Sequence, residues 1–179
     1  GYNTLAVNTA SDNTAVGSTA LDANTSGASN TAVGKAALTG NTTASNNTAV
    51  GYLSLDVNTT GTKNTALGKG SLGANITGDD NTAIGMSTLS VNTASDNTAV
   101  GSQALDANVA GTQNVAVGTN ALGANTSADG NTAVGYIALL VNTTGASNTA
   151  VGSRALDANT TGASNTGLGY NALSANTTA

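Results

Sequence analysis

Apolar residues in this chain occur in short clusters that recur at a fixed spacing, separated by asparagine, threonine and glycine. A motif of the type Asn-Thr-Ala-Val-Gly begins at Asn13, Asn30, Asn47, Asn64, Asn81, Asn97, Asn114, Asn131, Asn148 and Asn165. Successive units are 17 residues apart, except for two steps of 16, one between Asn81 and Asn97 and one across the incomplete first unit that begins at Gly1. The pattern predicts a single tandem-repeat domain over residues 1–179, with about 10.5 coils, no linker and ends that are cut within the repeat.

A unit of 17 residues is too short for two helices, and each apolar cluster spans only four or five positions. The pattern therefore predicts two short strands in each coil, Asn13–Val16 and Ala20–Asn24 in the first complete unit. A tight corner at Gly17 is expected to separate them. A wider corner follows Asn24, and we expect the 16-residue units to lose their residue there.

Stacking of such coils predicts an all-β parallel β-solenoid, or β-roll, with neighbouring strands about 4.8 Å apart. Alternation along the first strand, together with a column that accepts only Val, Leu or Ile, places Thr14 and Val16 inside and Ala15 outside. The predicted core consists of one aliphatic residue from each strand. It is formed by Val16, Leu21, Val33, Leu38, Val50, Leu55, Leu72, Leu89, Leu105, Leu122, Leu139 and Leu156.

Two asparagine columns recur in every unit and predict side-chain amide ladders at the corners, where each amide bonds its neighbour along the axis. Representative members are Asn13, Asn30 and Asn47 in one column and Asn24, Asn41 and Asn58 in the other.

An unbroken alanine column is expected on the outside of the first strands, where a solvated face would carry larger polar residues. It includes Ala15, Ala32, Ala49, Ala66, Ala83 and Ala99 and predicts a surface that packs against other copies of the chain. A homo-oligomer is therefore expected.

The amino-acid composition narrows the functions that the chain could have. The chain has no histidine, cysteine or glutamate, so it lacks the residues most often used for acid–base and nucleophilic catalysis, and we expect neither an enzyme nor a cofactor. Four Lys and Arg against nine Asp give a net charge of −5, which disfavours nucleic acid as a partner. No apolar run approaches the roughly 20 residues of a membrane span.

Units such as Gly27-Ala28-Ser29-Asn30-Thr31-Ala32-Val33-Gly34 resemble the Ser-Val-Ala-Ile-Gly repeats in the head domains of trimeric autotransporter adhesins. They are also similar to Asn-Thr-Ala-Val-Gly repeats of phage tail-fibre-like and large bacterial surface proteins. The resemblance implies a left-handed parallel β-roll with three chains around one axis. It also implies an extracellular, cell-surface or virion location.

Three further groups of residues are candidate sites. Asp22, Asp56, Asp106 and Asp157 share one outward column, but the glycine-rich calcium-binding repeat is absent and solvated surface charge is the better interpretation. The chain contains nine Asn-x-Ser/Thr sequons. Either they arise simply because an Asn-Thr-Thr unit is repeated, or they mark glycosylation along one edge of the solenoid. Tyr or Met after the corner glycine often accompanies Val two places after Leu, which suggests packing or a contact patch. These residues are Tyr2, Tyr52, Met86, Tyr136 and Tyr170, with Val7, Val57, Val91 and Val141.

The leading hypothesis is a non-enzymatic shaft or head of an extracellular or virion fibre, in contact with a surface receptor or with neighbouring fibre segments. The alternative is an ice-binding β-solenoid, in which the threonine column beginning at Thr14 forms an exposed array of hydroxyl and methyl groups. The direction in which this column faces separates the two hypotheses.

Overall fold

The computed structural model describes residues 1–178 and contains ten β-strands, one in each repeat. The strands are β1 (Thr14–Val16), β2 (Thr31–Val33), β3 (Thr48–Val50), β4 (Thr65–Leu67), β5 (Thr82–Ile84), β6 (Thr98–Val100), β7 (Val115–Val117), β8 (Thr132–Val134), β9 (Thr149–Val151) and β10 (Thr166–Leu168). They form one parallel sheet in chain order, with equivalent residues of neighbouring repeats in register. No helix occurs among residues 1–178, and the predicted all-β parallel β-solenoid is confirmed.

The segment predicted as a second strand forms turns instead. In the first complete unit, Thr19 has a φ of 56° and Leu21 has a φ of 53°. Backbone that enters the left-handed region at alternate residues is not extended, so the prediction of two strands per coil is wrong. A short apolar run bounded by glycine and asparagine looks like a strand in sequence, and leucine at positive φ is rare enough that the pattern gives no warning of it.

These turns are nevertheless bonded to the coils on either side. The backbone N–H of Leu38 donates to the Ser54 carbonyl in the next coil at 3.1 Å, and Leu53 N–H donates to the Lys35 carbonyl in the preceding coil at 3.2 Å. Hydrogen bonds therefore run along the axis on the turn side of the rod as well as through the sheet.

The interior is a row of leucines that faces a row of alanines. The completely buried leucines are Leu21, Leu38, Leu55, Leu72, Leu89, Leu105, Leu122, Leu139 and Leu156, each with 0% exposure. The completely buried alanines at the strand centres are Ala32, Ala49, Ala66, Ala83, Ala99, Ala116, Ala133 and Ala150.

The orientation predicted for the strands is wrong. Val16 is 59% exposed, and Val33 and Val50 are half-buried on the outer face, so these three residues are not core. The alanines predicted to form an outward oligomer surface lie inside, from half-buried Ala15 through the completely buried Ala32, Ala49, Ala66, Ala83 and Ala99.

The thinness of the coil explains this inversion. A Cβ atom built on Gly167, which occupies the alanine column, would lie 3.2 Å from Leu156 Cγ. The leucine side chain thus reaches the opposite strand, and only a residue as small as alanine fits beneath it. The larger Val and Thr must face outward because strand residues alternate.

A glycine with large positive φ makes the tight corner after every strand, as the sequence predicts. Gly101, for example, has a φ of 132°, a conformation open to glycine and strained for other residues. A Cβ atom built there would lie 2.6 Å from the carbonyl carbon and oxygen of Gly118 in the next coil.

One asparagine column forms a side-chain amide ladder. Asn41 Nδ2 donates to Asn24 Oδ1 at 2.8 Å and to the Ala44 carbonyl at 3.0 Å, and Asn58 Nδ2 repeats this with Asn41 and Gly61. We call this column the amide ladder; its completely buried members are Asn24, Asn41, Asn58, Asn75, Asn92, Asn108, Asn125, Asn142 and Asn159.

The other asparagine column bonds mainly to backbone. Asn30 Oδ1 accepts the backbone N–H of Asn47 at 3.0 Å, as Asn13 Oδ1 accepts that of Asn30 at 2.9 Å. Asn47 Nδ2 donates to the Gly61 carbonyl at 2.9 Å. These residues tie each strand start to the wide corner of the following coil.

The 16-residue units lose their residue at the wide corner. Asn92 Nδ2 donates to the carbonyl of Ala94, two residues away, whereas Asn41 reaches the carbonyl of Ala44, three residues away. The strands on either side stay in register, since Thr82 pairs with Thr98. The amide ladder is interrupted at this place, and Asn75 Oδ1 is buried without a hydrogen-bond partner.

Insertion of one threonine between Thr93 and Ala94 is expected to stabilise the rod. The inserted chain would match the corner Asn41-Thr42-Thr43-Ala44 and would allow Asn92 to donate to Asn75 Oδ1. Satisfying a buried acceptor raises the free energy of unfolding by about 1 to 3 kcal/mol, measurable by chemical denaturation. The same insertion between Thr60 and Gly61, where the ladder is continuous, is the control and should destabilise; equal effects of the two insertions would contradict the argument.

Candidate functional site

The outer face of the ten-stranded sheet is the most regular surface of the molecule. It carries two columns, a threonine column at the first strand position and an aliphatic column at the third, and we call it the sheet face. The threonine column is Thr14, Thr31, Thr48, Thr65, Thr82, Thr98, Val115, Thr132, Thr149 and Thr166; the aliphatic column is Val16, Val33, Val50, Leu67, Ile84, Val100, Val117, Val134, Val151 and Leu168. Every member is exposed or half-buried.

Regular backbone pairing fixes the spacing of the sheet face. Each residue pairs with its counterpart in the next strand, for example Thr48 with Thr65 and Val50 with Leu67. Strands in a sheet lie about 4.8 Å apart, so ten of them make a face roughly 45 Å long. No strand contains a charged residue, and the net charge of −5 resides on the corners and turns.

The threonine hydroxyls of the sheet face donate no hydrogen bond to any other group among the described residues 1–178. Thr42 Oγ1 at the wide corner donates to the Thr59 carbonyl at 3.2 Å, and Thr25 Oγ1 donates to the Thr42 carbonyl at 3.0 Å. Within residues 1–178, no hydroxyl of a strand threonine makes such a bond. These hydroxyl groups are therefore available to solvent or to a partner.

The threonine column faces outward, and the direction of this column is what separates the fibre hypothesis from the ice-binding hypothesis. The inward threonines expected from the sequence are wrong, because Thr48 is exposed and Thr65 is half-buried on the outside. The sequence pattern contained the relevant signal, since a core column of alanine beneath leucine leaves no room for threonine.

The aspartates remain separate surface groups. Among residues 1–178 no three potential metal ligands come together, and the Asp22 column is interrupted by Thr39 and Gly73. Burial against the next coil raises the pKa of Asp56 and of Asp106, and hydrogen bonds from backbone partly oppose this.

These two carboxyl groups predict a pH dependence of stability. Because the folded state raises their pKa, it binds protons more tightly than the unfolded chain, so stability is greatest below the ordinary carboxyl pKa and falls as pH rises through the raised value. Asp56→Asn with Asp106→Asn is expected to stabilise the rod at about pH 7 and to flatten this dependence. Asp12→Asn with Asp96→Asn removes the same charge from exposed corners and is the control. Denaturation curves between about pH 3 and pH 7 measure the difference, and identical profiles for the two double variants would contradict the prediction.

The large residues noted after the corner glycines lie on the surface. Tyr52 is 45% exposed and Val57 is 39% exposed, and Lys35 Nζ lies 5.9 Å from the Tyr52 ring centre. Tyr136 and Val141 are also exposed. The turn side thus carries isolated apolar pairs in coils that are not adjacent, and not a continuous platform.

The described part of the chain, residues 1–178, has no pocket that could hold a small molecule. Within the same residues, no helix is long and apolar enough to cross a membrane. No protein-family model, curated protein or solved structure matches the chain. The sheet face is accordingly the surface on which a functional argument rests.

Proposed function

We propose that the chain is a non-enzymatic structural module, a stiff segment of an extracellular, cell-surface or virion fibre. The observation that carries this proposal is axial hydrogen bonding on all sides of the rod. The sheet and the turns after the corner glycines join each coil to its neighbours, and the amide ladder adds further bonds along the axis except at the break between Asn75 and Asn92. Repeats bonded in this way form a continuous rod in which length is added by adding coils.

Self-association is part of this proposal, with other copies of the chain or neighbouring fibre segments on the sheet face and a trimer favoured. The alanine column is unsuitable because it lies inside. The sheet face is the available surface: it is uncharged, and Val16, Leu67 and Leu168 are 59%, 45% and 76% exposed. Soluble proteins usually cover or interrupt a continuous row of exposed aliphatic residues.

The mass of the protein in solution tests the fibre proposal. Light scattering is expected to give a homo-oligomer, and Val50→Lys with Leu67→Lys to reduce it to a 17.0 kDa monomer. Thr43→Lys with Thr60→Lys places the same charges on the exposed wide corners that precede these two strands and should leave the mass unchanged. A monomeric wild-type chain would contradict assembly through this face.

Ice binding is a second candidate, favoured by the outward threonine column. Nine of the ten strands present threonine, with Val115 as the exception, and the hydroxyls have no partner within residues 1–178. A neutral array of hydroxyl and methyl groups repeated at about 4.8 Å can hold a layer of ordered water close to the spacing found in ice. On this proposal the aliphatic column supports the water layer and remains uncovered.

Thermal hysteresis separates the two candidates. If ice is the ligand, the wild-type monomer shows hysteresis, and Thr48→Tyr with Thr65→Tyr abolishes it without unfolding the rod, since bulky side chains are tolerated on an exposed strand face. Thr43→Tyr with Thr60→Tyr, at the wide corners that precede the same two strands, should retain thermal hysteresis. Absence of hysteresis in an oligomeric wild-type protein would reject ice binding and leave the fibre proposal standing.

A further inference from the structure

The nine Asn-x-Ser/Thr sequons have no role in the proposed fibre, and the structure divides them into two unequal groups. Eight belong to the column of the amide ladder, at Asn24, Asn41, Asn58, Asn75, Asn125, Asn142, Asn159 and Asn176. The first seven of these have 0% exposure. The ninth, Asn46, is exposed.

In the seven buried sequons, both amide hydrogens are already engaged. A side-chain carboxamide has two N–H donors. Asn58 uses one toward Asn41 Oδ1 at 3.0 Å and the other toward the Gly61 carbonyl at 2.9 Å, and Asn159 does the same with Asn142 and Gly162. N-glycosylation replaces one of these hydrogens with a bond to a sugar, so it removes a buried hydrogen bond and requires space where there is none.

Asn46 differs in each of these respects. Its backbone N–H donates to the Ala28 carbonyl at 3.1 Å, whereas its side chain is exposed at the wide corner. Thr48, which completes the sequon, is also exposed. The column of Asn46 faces open space: at Gly130, the equivalent residue five coils further along, a built Cβ atom meets only Ser147 Oγ at 3.7 Å.

From this geometry we propose that, among Asn46 and the seven buried sequons, Asn46 is the modification site, the one at which the folded chain accommodates an N-linked glycan, and that a glycan on any of the seven buried sequons prevents folding. In the transfer step, Asn46 Nδ2 attacks the anomeric carbon of a polyprenyl-pyrophosphate-linked oligosaccharide. The C–O bond to pyrophosphate breaks, the lipid pyrophosphate leaves, and the amide loses one proton.

Secretion through a eukaryotic N-glycosylating pathway tests the proposal. A variant with alanine at the third position of each ladder sequon keeps every asparagine and leaves only the Asn46 sequon; Ala110, which follows Asn108 and Val109, shows that the fold accepts alanine there. The substitutions are Ser26→Ala, Thr43→Ala, Thr60→Ala, Thr77→Ala, Ser127→Ala, Thr144→Ala, Thr161→Ala and Thr178→Ala. This variant is expected to be secreted folded with one glycan, which peptide mass spectrometry places on Asn46 and Asn46→Gln removes.

The unaltered sequence is the comparison. It is expected to carry several glycans and to be lost from the secreted folded fraction, and an inhibitor of N-glycosylation should restore it. Recovery of a folded, β-rich rod with a glycan on Asn41 or Asn58 would overturn the proposal. So would misfolding of the alanine variant that occurs only when Asn46 is glycosylated.

Discussion

Gly101→Ala is expected to lower the free energy of unfolding by about 3 to 6 kcal/mol, from backbone strain and from overlap with neighbouring backbone. The residue has a φ of 132°, which favours glycine, and the new methyl group would lie 2.6 Å from the Gly118 carbonyl oxygen. The backbone fixes the position of the Cβ atom, and the atom that it meets is also backbone, so a change of rotamer gives no relief. Chemical denaturation followed by circular dichroism measures the loss.

A second glycine provides a matched control for this prediction. Gly73 is not at positive φ, and a Cβ atom built on it meets its nearest neighbour, the Gly70 carbonyl oxygen, at 3.4 Å. Gly73→Ala should therefore be neutral or slightly stabilising, because alanine restricts the unfolded chain. Similar losses from both substitutions would mean that the corner geometry is not the cause.

Asn58→Asp is expected to destabilise the rod by about 3 to 5 kcal/mol, because it leaves an uncompensated charge in a buried position. The substitution keeps the shape of the side chain but removes both donors. The new carboxylate would face two acceptors, Asn41 Oδ1 at 3.0 Å and the Gly61 carbonyl at 2.9 Å. Asn58 has 0% exposure, so water does not compensate for the lost bonds.

The pH dependence of this loss distinguishes lost hydrogen bonds from general disruption. A carboxyl group at this buried position binds its proton more tightly in the folded state, so the deficit relative to the wild-type chain should shrink as the pH is lowered. Asn46→Asp, on the exposed wide corner, should change stability by less than about 0.5 kcal/mol. A deficit for Asn58→Asp that stays constant from neutral to acid pH would argue against this explanation.

Sequence periodicity predicted the repeat, the parallel stacking and the roles of glycine and asparagine at the corners. A position that carries the same residue in every repeat must occupy the same place in every coil. Gly101 and Asn41 illustrate this, because each belongs to a column that is invariant along the chain. At Gly101 the adjacent coil leaves no space for a side chain, and Asn41 donates an amide hydrogen bond to the adjacent coil. Loss of a residue from the wide corner was also predictable, since corners accept changes in length and strands in register do not.

The orientation of the strands was not predictable by alternation alone. A column of Val, Leu and Ile normally indicates a core, yet Val16 and Leu67 lie outside and Ala66 lies inside. The deciding quantity is the width of the coil, which a single leucine such as Leu55 nearly fills. That leucine has a φ of 51°, so its segment is not extended and the second predicted strand does not form. Local residue propensity does not predict leucine at positive φ.

The tolerance of the wide corner for a lost residue also affects how the gene for this repeat protein can change in length. Recombination between misaligned repeats would add or delete whole units of 17 codons, and each new coil would meet neighbours that present the same leucine, glycine and asparagine columns. Register survives even an imperfect exchange, as the pairing of Thr82 with Thr98 across a 16-residue step demonstrates. Natural variants of this rod are therefore expected to differ in the number of coils far more than in the width of a coil, with stability growing roughly in proportion to that number.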